Sequence, residues 1–264
     1  MAPDCPDGRC DGSGFLFDEA TRRAWPCSCR PGRLARRKAR SVAGRIPQRF
    51  REVSFEREPV PSIARVNPVV VRTVRDYVAD VDAQLDAGRG LWFAGTVGTG
   101  KTTLAMLISK SAMEAGRTVA IYSLPRLLGL LRDSYDDSTD YTLTDLIDRL
   151  CAVDLLHIDD VGAEQTTPWV LEQLYTIVNT RYEDGRAIVV TTNLITFEDG
   201  DLPLREQIGD RTVSRLAEMC GEVLVMEGHD HRMDAHFDLP PAAAPEPDLE
   251  PAYGRPMRRP FRAV

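Results

Sequence analysis

The strongest constraint on the fold is the stretch GTVGTGKTTLA, residues 95–105, which follows the apolar run LWFA. Its Gly-x4-Gly-Lys-Thr spacing is that of a phosphate-binding loop, in the required context of a predicted strand before it and a predicted helix after it. Glycines let the backbone turn its N–H groups toward phosphate oxygens, and the helix N-terminus adds a favourable dipole. A glycine turn that happens to precede a helix is the alternative interpretation. We expect a P-loop in an α/β fold.

Two residues of this loop carry its chemistry. Lys101 is expected to bridge the outer phosphates of a nucleoside triphosphate, and the hydroxyl of Thr102 to ligate Mg²⁺. ATP and Mg²⁺ are therefore the expected cofactors. The residues predicted to contact the nucleotide are Gly95, Thr96, Val97, Gly98, Thr99, Gly100, Lys101, Thr102 and Thr103.

An acidic motif, DLLHIDD, ends a second predicted buried strand. Hydrolysis at a P-loop needs another magnesium anchor and a group that orients water. We expect Asp159 to hold Mg²⁺ and Asp160 to polarise the attacking water, with Glu164 as a less favoured candidate. An ordinary acidic turn after a strand is the alternative. The arginine-rich lid and acceptor pocket of adenylate and nucleoside kinases are not evident.

Polar side chains also end the predicted strand AIVVTTN. Asn193, or Thr191 and Thr192, would lie at its carboxyl end, the edge where open α/β sheets bind ligands. A strand-end asparagine is often only a turn residue. Beside the other motifs, we expect Asn193 to sense the terminal phosphate.

Two arginines, Arg211 and Arg215, stand four residues apart in GDRTVSRL, which places them on one helical face. Either could be an arginine finger that stabilises transition-state charge at a neighbouring subunit's ATP. A surface arginine pair is the alternative, and the spacing alone favours it.

Predicted helices and strands alternate along the body of the chain. The helices include residues 67–86, which GRG ends, and the segment after the P-loop, which stops at Gly116. This alternation is typical of a parallel sheet flanked by helices. The four predicted strands are LWFAG, TVAIYS, VDLLHIDD and AIVVTTN.

The net charge of −7 conceals an asymmetry, because residues 1–57 hold 13 Lys and Arg against 7 Asp and Glu. Much of this positive charge lies in residues 30–45, where a polyanion or an acidic partner could dock; a solvated helix and linker is the alternative. No apolar stretch approaches the ~18 residues of a membrane span, and the N-terminus lacks a signal-peptide layout. We expect a cytoplasmic protein.

Four cysteines, Cys5, Cys10, Cys27 and Cys29, form a C-x4-C-x16-C-x-C pattern near the N-terminus. Four thiolates suffice for a tetrahedral Zn²⁺ site, and disulfides are rare in the cytosol. The close C-x-C pair departs from the usual C-x2-C spacing, so a metal-free head with free thiols is the alternative.

The cysteine pattern, the basic run and the composition of the C-terminal residues predict four segments. We expect a cysteine-rich head over residues 1–30, a basic linker over 31–57, an ATPase domain over 58–238 and a disordered tail over 239–264. The tail holds seven prolines and almost no apolar periodicity. Neither the basic linker nor the basic end of the tail interleaves the aromatics that base stacking requires.

Taken in order, GTVGTGKT, LLHIDD with VGAE, VVTTN and GDRTVSRL resemble the AAA+ ATPases of the DnaC/DnaI helicase-loader and IstB group over residues 46–236. The resemblance makes Asp159 and Asp160 the Walker B pair, Asn193 sensor I and Arg215 the arginine finger. Arg232, in GHDHR, falls near the sensor II arginine of that group. Asp160 stands where many AAA+ proteins have Glu, which is one methylene longer, so slow and switch-like hydrolysis is expected.

The resemblance implies a nucleotide-dependent oligomer that binds single-stranded DNA and a replicative helicase. The preferred interpretation is an ATP-switched helicase loader in DNA replication, whose head docks on the helicase. The alternatives are an IstB-like helper of a transposase, acting on duplex DNA, and a nucleotide-binding adaptor that does not hydrolyse ATP.

Overall fold

The computed structural model of the protein describes residues 5, 8–19, 21–34, 44–134, 142–162, 167–194 and 203–230. These residues contain two sheets. An antiparallel hairpin in the cysteine-rich head consists of β1 (Phe15–Asp18) and β2 (Arg23–Pro26). The body is built on five parallel strands in the order β4-β5-β6-β3-β7. They are β3 (Leu91–Gly95), β4 (Val119–Ser123), β5 (Leu155–Val161), β6 (Ala187–Thr192) and β7 (Leu224–Met226).

Each pair of successive body strands is connected through at least one helix, as parallel strands require. A 3₁₀ turn at Gln48–Phe50 precedes the first helix. The helices are α1 (Val60–Val66), α2 (Pro68–Ala79), α3 (Val81–Asp86), α4 (Lys101–Glu114), α5 (Leu124–Asp133), α6 (Leu143–Ala152), α7 (Pro168–Glu183), α8 (Pro203–Ile208) and α9 (Asp210–Cys220).

Each face of the body sheet packs against its own helices, because successive side chains of a strand point to opposite sides. Leu91 and Phe93 of β3 join the apolar cluster that includes side chains of α1 to α4. Trp92, between them, joins the cluster formed with α5, α6, α7 and α9. The sheet is therefore covered on both faces, which is why its strands are almost continuously apolar.

A fully buried arginine, Arg181 on α7, lies among backbone carbonyls. Its Nη1 donates to the carbonyl oxygens of Leu150, Cys151 and Val153 at 2.9, 3.2 and 3.1 Å. Its Nη2 donates to those of Asp154 and Ala187 at 3.2 and 2.5 Å. The guanidinium thus satisfies the carbonyls at the end of α6, which a helix leaves without partners. Burial lowers the pKa of Arg181 to about 10.

The parallel α/β sheet confirms the predicted fold class, and the four predicted strands are present. Residues 67–86 form two helices, α2 and α3, divided at Asp80, where one was expected. The strand β7 and the hairpin of the head were not predicted. Residues 239–264 lie outside the described residues, as does Glu164. No helix among the described segments is long and apolar enough to cross a membrane.

Candidate nucleotide-binding site

The P-loop lies between the end of β3 and the start of α4, at the carboxyl edge of the sheet. Gly98 and Gly100 have φ values of +82° and +98°, in the region that favours glycine. A Cβ at Gly100 would overlap the side chain of Ile63 on α1, so this glycine also permits close packing. Because the residue before α4 is Gly100, it has no side chain that could cap the first N–H groups of the helix, the groups that bind anions at helix N-termini.

Lys101 is almost completely buried in this loop. Its ammonium donates hydrogen bonds to the carbonyl oxygens of Gly95 and Thr96, at 2.8 and 2.7 Å. Phosphate oxygens would bind this ammonium more strongly than carbonyl oxygens do, because hydrogen bonds between two charged groups are stronger.

The Walker B strand brings its first aspartate to the P-loop helix. The Thr102 hydroxyl donates to Asp159 Oδ1 at 3.0 Å, and the Thr191 hydroxyl donates to the same oxygen at 2.6 Å. A hydroxyl and a carboxylate at the end of a P-loop are the hard oxygen ligands that Mg²⁺ prefers. The donor set therefore fits a magnesium ion held by Thr102 and Asp159, which would neutralise phosphate charge.

Asp159 is charged at neutral pH despite its burial. Burial by itself raises the pKa of this carboxyl, but His157 and the hydroxyls of Thr191 and Thr102 together lower it below its ordinary value. His157 is fully buried behind the site, with Nε2 3.8 Å from Asp159 Oδ1 and Nδ1 3.0 Å from the Ser109 hydroxyl.

A bulge contains the two Walker B aspartates. The pairing of β5 with β6 shifts between Ile158 and Val161, and Asp160 has φ +58° in the left-handed region. Aspartate adopts this conformation more readily than most residues. The bulge is fixed by β6, since the Asp160 N–H donates to the Thr191 hydroxyl at 2.9 Å. The side-chain amide of Asn193 in turn donates to Asp160 Oδ1 at 3.2 Å.

Sequence reasoning missed an aspartate that touches the P-loop. A Cβ at Gly98 would overlap Oδ1 of Asp230, so this carboxylate lies directly against the glycine. The segment before it is fixed by Asn67, whose side chain donates to the Glu227 carbonyl at 2.8 Å and accepts from the Glu227 N–H at 2.9 Å. Asp230 and Gly98 are far apart in sequence, as are Asn67 and Glu227, so no local pattern could have revealed the contact with the P-loop.

Arg215 is not brought to this chain's own P-loop. On α9 its guanidinium lies over the Tyr182 ring at 4.1 Å, and it donates to Glu218 and Asn179 at 3.1 and 3.3 Å. Arg211, one turn earlier, is exposed. Arg232 lies outside the described residues.

Comparisons with known proteins identify the family of the chain. The family model described as IstB-like ATP binding protein matches residues 81–236, more than half of the chain. The chain belongs to the IstB-like ATP-binding protein family. The matched segment holds the P-loop, the Walker B aspartates, Asn193 and α9.

Relatives of this IstB-like chain include phage and replication proteins. The phage-like element PBSX protein XkdC of Bacillus subtilis is 28% identical over 83% of this chain and 80% of XkdC. The replicative helicase loader DnaC of Escherichia coli is 27% identical over 60% of this chain and 62% of DnaC. A crystal structure of the DnaC helicase loader is 24% identical and superimposes with a TM-score of 0.59, covering 69% of this chain and all of that one. The fold is therefore that of the DnaC-like AAA+ ATPases.

The cysteine cluster precedes the segment matched by the IstB-like family. Its four Sγ atoms lie within 4.8 Å of one another, and the Cys5–Cys27 and Cys10–Cys29 pairs are 3.8 and 3.6 Å apart. Four sulfurs at ~2.3 Å from one tetrahedral zinc would be separated by about 3.8 Å. Burial and the three neighbouring thiols raise the pKa of Cys29 to about 12, so the thiolate needs a cation beside it. The donor set fits zinc.

Proposed function

We propose that this protein binds ATP with Mg²⁺ and hydrolyses it slowly. The observation that carries the proposal is the meeting of Lys101, Thr102, Asp159, Asp160 and Asn193 at one sheet edge. Lys101 and the loop N–H groups bind the phosphates, and Asp160, oriented by Asn193, positions the attacking water. Bound Mg²⁺ would neutralise phosphate charge at Thr102 and Asp159.

We propose further that the ATPase is a replicative helicase loader. Its support is the similarity to DnaC, named a replicative helicase loader, together with the DnaC-like fold. In this function ATP-bound subunits assemble through Arg215, hold a helicase and single-stranded DNA, and release them on hydrolysis. To act in trans, Arg215 must leave Tyr182 and Glu218, so assembly and intramolecular packing compete for one guanidinium.

The cysteine-rich head is part of the proposal, as is the division into head, linker, ATPase domain and tail. Cys5, Cys10, Cys27 and Cys29 would hold one structural Zn²⁺, and their Sγ separations support this. Such a site stabilises a segment too short to build an apolar core. We also propose that Arg232 approaches the nucleotide as the sensor II arginine.

The decisive experiment measures ATP turnover with and without single-stranded DNA and a cognate replicative helicase. Weak basal turnover should rise with either and vanish in Lys101→Ala and Arg215→Ala, while Arg205→Ala, which removes an exposed arginine paired with Asp210, should match the unchanged chain. If Arg215 acts in trans, mixing the two inactive variants restores part of the activity, because some interfaces combine an intact P-loop with an intact Arg215.

Other outcomes would replace parts of the proposal. Turnover that responds only to duplex DNA, with no helicase binding, would favour the transposition helper, which the IstB-like family match also supports. Unchanged turnover in Asp160→Asn would remove the water-positioning role. No turnover under any condition, with ATP bound, would favour a nucleotide-switched adaptor.

A further inference from the structure

The hydroxyl of Thr191 lies between the two Walker B aspartates. It accepts a hydrogen bond from the backbone N–H of Asp160 at 2.9 Å and donates one to Asp159 Oδ1 at 2.6 Å. These directions follow from the groups themselves, because a backbone N–H can only donate and an ionised carboxylate can only accept. The single proton of the hydroxyl therefore goes to Asp159, and one side chain connects both aspartates.

The register of the sheet places Thr191 at this point. The pairs that flank the bulge are Ile158 with Val190 and Val161 with Thr192. Two residues of β5, Asp159 and Asp160, therefore stand opposite the single residue Thr191 of β6, which is the arrangement that defines a bulge. A bulge interrupts the ladder of main-chain hydrogen bonds and redirects a side chain. Here a side-chain hydroxyl, rather than a main-chain carbonyl, accepts from the Asp160 N–H.

Asp160 is held by β6 at two points. Its N–H is bonded to Thr191, and its Oδ1 accepts from the Asn193 amide at 3.2 Å. The φ of +58° at Asp160 is sparsely populated by residues other than glycine, so it persists only where the surroundings fix it. Asn193 is exposed, whereas Thr191 is fully buried. Water therefore competes with the bond from Asn193 but not with the bonds of Thr191.

Asp159 is held by two hydroxyls, of which Thr191 is the closer. Thr191 and Thr102 donate to the same carboxylate oxygen, at 2.6 and 3.0 Å. Thr102 is itself an expected magnesium ligand, and in that role its hydroxyl oxygen would face the ion. Thr191 lies on the neighbouring strand and is not an expected ligand. Its hydrogen bond is therefore the one that can orient Asp159 both with and without a metal.

We propose that Thr191 is a positioning residue of the ATPase, whose hydroxyl holds the magnesium-binding carboxylate of Asp159 and the backbone of Asp160 in one fixed arrangement. The proposal rests on the proposed function, because it assigns Thr191 a role in the same hydrolysis. The water-positioning group and the metal ligand then move together, since one hydroxyl is bonded to both.

A second threonine makes the same two hydrogen bonds at the opposite edge of the sheet. The Thr118 hydroxyl donates to Asp154 Oδ2 at 2.7 Å and accepts from the Asp154 N–H at 3.0 Å. Thr118 immediately precedes β4 and Asp154 immediately precedes β5, so the pair lies at the amino edge, away from the P-loop. Thr118 therefore provides a control with matched chemistry and no part in the nucleotide site.

The test compares Thr191→Val, which replaces the hydroxyl by a methyl group, with Thr191→Ser, which retains the hydroxyl. Partners that hold a metal ligand typically contribute about 10- to 100-fold to metal affinity or activity. Thr191→Val should lose about that factor in the kcat of ATP turnover and in the affinity for Mn²⁺ in the presence of ATP, measured by electron paramagnetic resonance. ATP binding without a metal should be unchanged, because Lys101 keeps its place in the loop. Thr191→Ser should restore both losses.

Thr118→Val should lower the midpoint of urea unfolding but keep the turnover and the Mn²⁺ affinity of the unchanged chain. Equal losses of turnover in Thr118→Val and Thr191→Val would assign the effect to general destabilisation and overturn the proposal. Unaltered turnover and Mn²⁺ affinity in Thr191→Val, or equal losses in Thr191→Ser, would overturn it as well. If Thr191→Val does not fold, Thr191→Ala, which also lacks the hydroxyl, takes its place.

The two readouts separate this proposal from the proposed function. If the unchanged chain binds Mn²⁺ with ATP but shows no turnover, the proposed hydrolysis is wrong. The Mn²⁺ affinities of the same variants then still decide whether the Thr191 hydroxyl holds Asp159.

Discussion

The head and the body of this protein are stabilised by different kinds of contact. In the body, two apolar clusters pack against the two faces of a five-stranded sheet. In the described head, the buried cluster consists of Cys5, Cys27 and Cys29, with Cys10 and Leu16 packed against it. The larger apolar side chains of the hairpin are instead exposed. Burial of apolar side chains therefore stabilises the body. The head depends instead on the cluster of its cysteines and on a metal ion that they would bind.

Metal removal is expected to produce the largest difference between the two regions. A chelator, or Cys27→Ser, should abolish zinc binding, which is worth ~10–16 kcal/mol in small zinc domains, and unfold residues 8–34 while the body is unaffected. Hydrogen exchange measured by region would show this. Cys151→Ala is the control, because this cysteine is buried in the body and is not part of the cysteine cluster. Burial raises the pKa of its thiol to about 11, so it stays protonated. If hydrogen exchange in the head is unchanged after zinc is lost, the head does not depend on a metal and the proposed difference between head and body is wrong.

Arg181→Met should have the opposite effect and destabilise the body while sparing the head. The substitution leaves several buried carbonyls without a donor, so we expect a loss of about 3–5 kcal/mol in the free energy of unfolding. Arg186→Met removes a half-buried arginine that pairs with Asp154 near the surface and should cost about 1 kcal/mol. Urea unfolding followed by circular dichroism would separate the two. Equal effects would mean that the buried guanidinium contributes no more than a surface ion pair.

Lys101→Ala tests nucleotide binding by the body. Losing charge-assisted hydrogen bonds worth ~1.5–3 kcal/mol should weaken ATP binding by about 10- to 150-fold. Lys110→Ala is the control on the same helix, since Lys110 donates to the Val53 carbonyl, away from the loop. Titration with a fluorescent ATP analogue would measure both. Similar ATP affinities in Lys101→Ala and Lys110→Ala would mean that the phosphates do not bind at Lys101.

Asp230→Asn should have the smallest effect, and it should be a gain. The carboxylate against Gly98 repels phosphate, so neutralising it is expected to tighten ATP binding several-fold, on the order of 1 kcal/mol. Glu227→Gln, which removes a nearby exposed carboxylate but leaves the backbone contacts with Asn67, is the control. Weaker ATP binding in Asp230→Asn would mean that this carboxylate assists the nucleotide.

The sequence predicted the body better than the head for a physical reason. The P-loop and the Walker B strand are local patterns, in which the residues themselves determine strand, turn and helix. The strand β7 is only three residues long and exists because β3 offers it an edge. The hairpin strands FLFD and RAWP lack the apolar–polar alternation in sequence that predicts a strand, and β2 is exposed along its whole length. The partners of Arg215 and Asp230 depend on contacts between distant elements, which no local pattern records.

The amide of Asn67 has a mechanical consequence. It fixes Glu227 at two points, while Asp230, three residues later, lies where a phosphate would approach. Between them stands Gly228, with φ +131°, a residue whose backbone can rotate at little cost. A nucleotide that displaces Asp230 would therefore rotate the backbone at Gly228, while Glu227 stays bonded to Asn67.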